Sequence, residues 1–239
     1  MFRHRGKNRT HLHNLKLASL LSFVAGIVNV TGLFSVQRLT TNVTGHFAYI
    51  ADEVVKKDFT EAWFFLLFIL FFLAGAFVSN LLVEATLKRN ARYASALPVT
   101  AEIFILSAIA LLDEGIVHRY NHEVACILLF AMGLQNALVT NISNSIVRTT
   151  HLTGLFTDLG IELSQLFFYR EREQSKKLFS SINLRFAIIC FFFLGCIIGG
   201  FGYFVYGRNI LFLAVACLTV GLVYDNVKYR LLLLKKKHG

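Results

Sequence analysis

The chain alternates between long apolar blocks and short polar interruptions, and the blocks set its architecture. From Ala62 to Val83 the run AWFFLLFILFFLAGAFVSNLLV carries no charge in 22 residues, and FAIICFFFLGCIIGGFGYFVY, Phe186 to Tyr206, carries none either. A helix of about 20 residues rises about 30 Å, the thickness of the hydrocarbon core of a bilayer. Both blocks therefore read as membrane spans. Leu17–Val36, Ser95–Leu112, Val124–Ile146 and Asn209–Val227 are less clean but long enough to join them. The first follows a basic stretch, as a signal peptide does. No compact small-residue cleavage site closes it and the rest of the chain is equally apolar, so an uncleaved span is expected.

Two of the polar interruptions share a pattern. RLTTNVTGHF (Arg38 to Phe47) contains Asn42-Val43-Thr44, a glycosylation sequon, but its second copy, RTTHLTGLF (Arg148 to Phe156), has His151 in place of Asn42. The shared element is TTxxTG. Thr40, Thr41, Thr44, Gly45 and Phe47 pair with Thr149, Thr150, Thr153, Gly154 and Phe156, and further on Glu53 pairs with Glu162. Upstream, FVAGIVNV lies over FAMGLQNA, matching Gly26 with Gly133 and Asn29 with Asn136. Downstream, FFLAG (Phe71 to Gly75) resembles FFLGC (Phe192 to Cys196), each beginning a small-xxx-small spacing, Gly75 to Ser79 and Gly195 to Gly199. The common order points to an internal duplication.

Each half then reads as a span, the motif, a short amphipathic helix and two more spans. The first short helix, Val43–Val55, is about 20 Å long and carries Asp52 and Glu53, so it is too short and too polar to cross. Its partner, Leu152–Tyr169, holds Asp158 and Glu162. The expected fold is an all-α integral membrane protein with six transmembrane helices in two inverted three-span repeats, each with a re-entrant helix after TTxxTG. The alternative is eight spans in direct repeats. The division is a basic cytoplasmic tail (1–16), repeat 1 (17–113), repeat 2 (123–228) and a second basic tail (229–239).

Composition agrees: 56% of residues are hydrophobic, 24 are Phe, one is Pro, and 16% are charged, against about 25% charged in soluble domains. The net charge of +10 raises nucleic acid as a partner, but the basic residues sit at span ends, where they orient loops and meet anionic lipid. With the N-terminus inside, six spans put 19 of the 24 Lys and Arg in the cytoplasm and leave Arg38, Lys56, Lys57, Arg119 and Arg208 outside; eight spans put 18 inside. The charge count does not separate the two. Helix length and the basic loop Lys88, Arg89, Arg92 favour six, with both termini cytoplasmic. Cys126, Cys190, Cys196 and Cys217 all fall inside spans, without ligand spacing, and read as small hydrophobes.

Non-helical backbone at membrane depth must be satisfied by protein or must line a wet cavity. Thr and Asn cap helices, glycine in the first turn allows close approach, and the helix start offers free amides to an anion. Interrupted helices in inverted repeats are how secondary transporters build a site near the midplane. The candidate solute-binding residues are therefore Thr40, Thr41, Asn42, Thr44, Gly45, Thr149, Thr150, His151, Thr153 and Gly154, with Asn29, Gln135 and Asn136 from the facing spans. His46, Glu102 and Asp158 are the proton-coupling candidates, because ionisable groups in spans are costly and commonly functional. No catalytic residue, metal site or cofactor is expected. His4, His11 and His13 lie in the tail, and His118 and His122 in a loop, without zinc-like spacing.

AMGLQNALVTNISNSIVRTTHLTGLFTDLG together with AGIVNVTGLFSVQRLTTNVTG resembles the YoaK family of bacterial integral membrane proteins (domain of unknown function 1275), from about Leu17 to Tyr229. The resemblance implies a bacterial inner membrane location and brings no activity. It also implies Asp in relatives where this chain has Asn29, and often Asn where it has His46. The expected function is a small transporter or channel for a polar or anionic solute, with the bilayer, an unidentified small solute and an optional second copy of the chain as partners. The alternatives are a membrane enzyme acting on lipid, with Arg148 at the headgroup, and a scaffold subunit packing through the Gly195 to Gly199 face.

Overall fold

The computed structural model describes residues 2, 9–90, 93–169 and 171–237. Much of the first basic tail (residues 1 and 3–8), the last two residues of the second, and residues 91, 92 and 170 lie outside the described residues. All regular structure among the described residues is helical: α1 (His11–Val36), α2 (Val43–Val55), α3 (Phe59–Asn90), α4 (Ala96–Ala110), α5 (Glu114–Arg119), α6 (Asn121–Ser143), α7 (Leu152–Gln165), α8 (Arg172–Tyr206) and α9 (Leu211–Lys237). A 3-10 turn, Gly207–Ile210, joins the last two.

Local chemistry sets the ends. Thr10 and His13 form a reciprocal capping box at the start of α1. At its far end Gln37 adopts a left-handed conformation (φ 55°), and the Arg38 amide donates back to the Gly32 carbonyl. α8 stops at Gly207, whose φ of +56° suits glycine. His122, expected in a loop, lies in the first turn of α6, its ring stacked 3.9 Å from that of Phe64.

Among the described residues, four helical segments are long and apolar enough to cross a membrane: α1, α3, α6, and a 54-residue stretch from Arg172 to Asp225 that holds α8 and the first part of α9. α4 has 15 residues, a rise of about 22 Å, and is shorter than the span read from Ser95 to Leu112. The exterior carries Phe77, Phe104, Phe193, Phe201 and Phe204, all exposed. So much exposed aromatic surface suits a bilayer and would be a liability in water. The chain is a membrane protein.

The long helices divide into an inner and an outer pair. The apolar windows of α1 and α6 are 67% buried, against 22% for α3 and for the α8–α9 stretch. α8 packs along α1 and α3 packs along α6. Both pairs touch backbone to backbone. A Cβ on Gly26 would overlap the Phe192 carbonyl oxygen and one on Gly195 that of Phe23; a Cβ on Gly133 would overlap that of Phe72 and one on Gly75 that of Phe130. Such crossings need glycine, and van der Waals packing of small residues drives helix association in lipid. Each pair runs parallel: Phe23 meets Gly195, Val30 meets Gly199, and Phe34 meets Tyr203 and Phe204. Likewise Phe64 meets His122, Gly75 meets Phe130, and Asn80 meets Asn141. The crossings match Phe72 with Phe192 and Gly75 with Gly195, one residue away from the FFLAG/FFLGC letter match.

Candidate functional site

In both halves the chain leaves its inner helix and doubles back along it. After Gln37 the backbone returns past Gly32, where Thr40 packs, until the Thr41 amide and hydroxyl both donate to Asn29 Oδ1, at 3.2 and 2.9 Å. After α6, Asn144 and Ser145 have φ values of 55° and 64°, and the Ser145 amide donates to the Thr140 carbonyl at 2.8 Å. The Thr150 and Thr149 hydroxyls then donate to Asn136 Oδ1 at 2.8 and 3.4 Å. One span asparagine thus anchors each motif through its carbonyl oxygen. That role needs only an acceptor, which the carboxylate that the family resemblance implies at position 29 also supplies.

The short helices start at these anchors. Asn42 Oδ1 accepts the Gly45 amide at 3.0 Å and caps α2. His151, at the matching position, makes no side-chain cap bond, so it does not satisfy the first-turn amides of α7 as Asn42 satisfies that of Gly45. In each copy the cap residue lies over the motif glycine, Asn42 over Gly45 and the His151 ring over Gly154.

Both motifs line one cavity of about 680 Å³. Asn29, Thr41, Asn42 and Thr44 form one wall, and Asn136, Thr150, His151 and Thr153 form the other. Phe72 and Phe192, the pair whose carbonyls meet the crossing glycines, close its sides. Arg148 adds a cation, and Thr140 a hydroxyl. A second cavity of about 580 Å³ shares Asn136 and Thr140 and adds Asn80, Asn141 and Asn144. A third, of about 460 Å³, shares Arg148 and His151 and reaches Asp158, Ser181 and Arg185. The space around α7 is therefore polar from the asparagine pair to the Asp158–Arg185 ion pair.

The remaining candidates lie elsewhere. Thr40 and Thr149 are buried behind the motif. Gln135 turns away from the cavity toward Glu102 on α4. His46 is buried against Phe65 and Phe68, with Nε2 at 3.0 Å from the Leu39 carbonyl. Asp158 pairs with Arg185 at 3.3 Å, and Arg185 also pairs with Glu162 and bonds Ser181. None of His46, Glu102 and Asp158 lines the central cavity. Conversely, Arg148, Thr140, Phe72 and Phe192 line it without having been singled out for it from the sequence. Arg148 was within reach, since it directly precedes Thr149; the phenylalanines were lost among many.

At the C-cap of α2, Lys56 makes ion pairs to Asp52 at 2.6 Å and Glu53 at 3.1 Å. Its hydrogen bonds to Asp52 and then Glu53 hold the ammonium above its ordinary pKa. Among the described residues no three His, Cys, Asp or Glu side chains gather as a metal site would require.

The chain is 26% identical over 185 residues to the UPF0700 transmembrane protein YoaK of Bacillus subtilis (strain 168), covering 76% of this chain and 80% of that protein. No solved structure matches it. The family model described as Protein of unknown function (DUF1275) matches residues 17–224. The chain, with its paired motifs and asparagine anchors, therefore belongs to the DUF1275 family of membrane proteins.

Proposed function

We propose that this membrane protein is a small transporter or channel whose polar or anionic solute binds between the two TTxxTG elements. The observation that carries the reading is the single cavity shared by both motifs and both anchoring asparagines. A cavity of about 680 Å³ is of the size that small-molecule sites occupy. The first turn of α7, which His151 does not cap, and the Arg148 guanidinium in the lining of the same cavity support an anionic solute.

The topology proposed with it is six spans, two inverted repeats and both termini in the cytoplasm of a bacterial inner membrane. Arg38, just past α1, pairs with Glu61, just inside α3, at 3.0 Å. That pair supports α2 returning to the face it left. The pairing of Glu162 and Asp158 with Arg185 supports the same for α7. Parallel α1–α8 and α3–α6 packing is compatible with this path, and the excess of Lys and Arg on the terminal side supports the orientation.

Flux of candidate anions into liposomes containing the full chain, with internal pH followed in parallel, tests the proposal. Wild-type protein is expected to show saturable flux of at least one small carboxylate or inorganic anion. The quadruple variant Thr41→Val, Thr44→Val, Thr150→Val, Thr153→Val is expected to lose it while remaining folded. Undiminished flux in that variant overturns the site assignment.

A further inference from the structure

Glu102 and Gln135 form a buried pair outside the cavity. Both are completely buried, Glu102 on α4 and Gln135 on α6. Gln135 Nε2 donates to Glu102 Oε1 at 3.1 Å. The two other oxygens of the pair, Glu102 Oε2 and Gln135 Oε1, are buried without a hydrogen-bond partner.

An ionised carboxyl explains this arrangement poorly. A buried carboxylate whose only support is one neutral amide is among the costliest groups a membrane interior can hold. α4 packs against α3, α6, α9 and the 3-10 turn. Their ionisable side chains, among them Glu84, Glu123, Arg208 and Asp225, make no hydrogen bond or ion pair with Glu102 among the described residues. With the carboxyl ionised, both orphaned oxygens are acceptors and neither can satisfy the other. A proton on Oε2 makes that atom a donor, and Gln135 Oε1 is the acceptor on the facing amide that still lacks one. Acid and amide then close a ring of two hydrogen bonds, and every oxygen of the pair is satisfied.

We propose that Glu102 and Gln135 form a proton-binding site inside the bundle, with Glu102 carrying its proton on Oε2 and donating it to Gln135 Oε1. The proton is taken from solvent and returned to it. Losing it leaves an uncompensated charge between α4 and α6, on the residue facing Gln135. The neighbouring Asn136 lines the solute cavity, so the charge state of Glu102 acts on the helix that anchors the second motif. This last consequence rests on the transport reading; the protonated pair does not.

Infrared spectroscopy of the full chain in lipid vesicles at neutral pH tests the site, comparing wild type with Glu102→Gln. The wild-type spectrum is expected to contain the carbonyl stretch of a protonated carboxyl, and Glu102→Gln is expected to lose it. The same variant is expected to keep the wild-type melting temperature, because a second amide reproduces both hydrogen bonds without charge. Glu102→Leu and Gln135→Leu are each expected to lower that temperature by several degrees. Absence of the band in wild type, its persistence in Glu102→Gln, or destabilisation of Glu102→Gln as large as that of Glu102→Leu overturns the proposal. None of these readouts depends on solute flux, so failure here and failure of the transport reading are distinguishable.

Discussion

The two motif-bearing halves match where helices cross and differ where the short helices meet the outer ones. At the crossings the correspondence runs atom for atom, Gly26 on Phe192 against Gly133 on Phe72. At the short helices, Tyr49 of α2 stacks on Phe65 of α3 with ring centres 5.0 Å apart, and His46 packs against Phe65 and Phe68. The matching positions in the second half hold Asp158 and Arg185, paired at 3.3 Å at the edge of a polar cavity. One short helix packs on its outer neighbour through stacked rings, with the Arg38 guanidinium over Phe65, and the other through an ion pair at the edge of a polar cavity. Repeated backbone geometry comes from repeated small residues, while the character of each short-helix contact comes from side chains free to diverge. The difference gives the molecule a polar side and an aromatic side around a cavity built almost symmetrically.

If the crossings are equivalent, damage to either should cost the same. Gly26→Val and Gly133→Val are each expected to destabilise by about 3 kcal/mol or more, the top of the overpacking range, because the added carbons meet a carbonyl oxygen and not a movable side chain. Thermal unfolding in detergent measures this, and a tolerant member of the pair would break the equivalence. The two short-helix contacts should respond differently from each other. Arg185→Leu leaves the largely buried Glu162 without its cation and is expected to cost about 2–4 kcal/mol, below the upper range for breaking a buried pair because the arginine side chain is 22% exposed. Salt added to the wild type should partly mimic this loss. Phe65→Leu is expected to cost about 1 kcal/mol, as an apolar exchange does, with a smaller change in salt response than Arg185→Leu because only the Arg38 guanidinium over its ring is disturbed. Equal salt sensitivity of the two variants would remove the proposed contrast.

The anchors sharpen the comparison at smaller scale. Asn29→Leu and Asn136→Leu each remove one acceptor with two donors and are expected to cost about 1–2 kcal/mol, since hydrogen bonds between helices in lipid are individually modest. Asn29→Asp should lie closer to wild type than Asn29→Leu in a melting measurement, because the acceptor survives. Least of all, Lys56→Ala should leave the melting temperature unchanged, as its exposed ion pairs are screened by water. The folded pKa of Lys56 is raised, so any stabilisation it gives is present below its unfolded pKa and is lost only as pH rises through the folded value. A melting temperature of Lys56→Ala that departed clearly from wild type at neutral pH, where Asp52 and Glu53 are ionised, would contradict this.

Much of this was open to reading along the chain. The charge-free runs give α3 and α8 because about 20 apolar residues have one economical solution in lipid, and TTxxTG twice over marks where helices stop and restart. Neighbouring residues on one helix were harder to assign. By spacing Gln135 and Asn136 read as one polar patch, yet about 100° of helical rotation sends Gln135 to Glu102 and Asn136 to Thr150. Spacing alone also could not show that α4 is a short helix, or that His122 stacks on Phe64 within α6.

By itself, the sequence determined a membrane-bound helical chain, the positions of its apolar segments, its two related motifs and the glycines that let spans approach closely. Those properties follow from length, polarity and side-chain size, which act locally and repeat visibly. Only the tertiary structure decided that both motifs share one cavity, that Arg148 joins them, and that His46, Glu102 and Asp158 fall into three different surroundings. The reason is geometric: which face of a helix meets the cavity depends on how the chain doubles back at Gln37 and Asn144 and on which helices cross, and no residue carries that information alone.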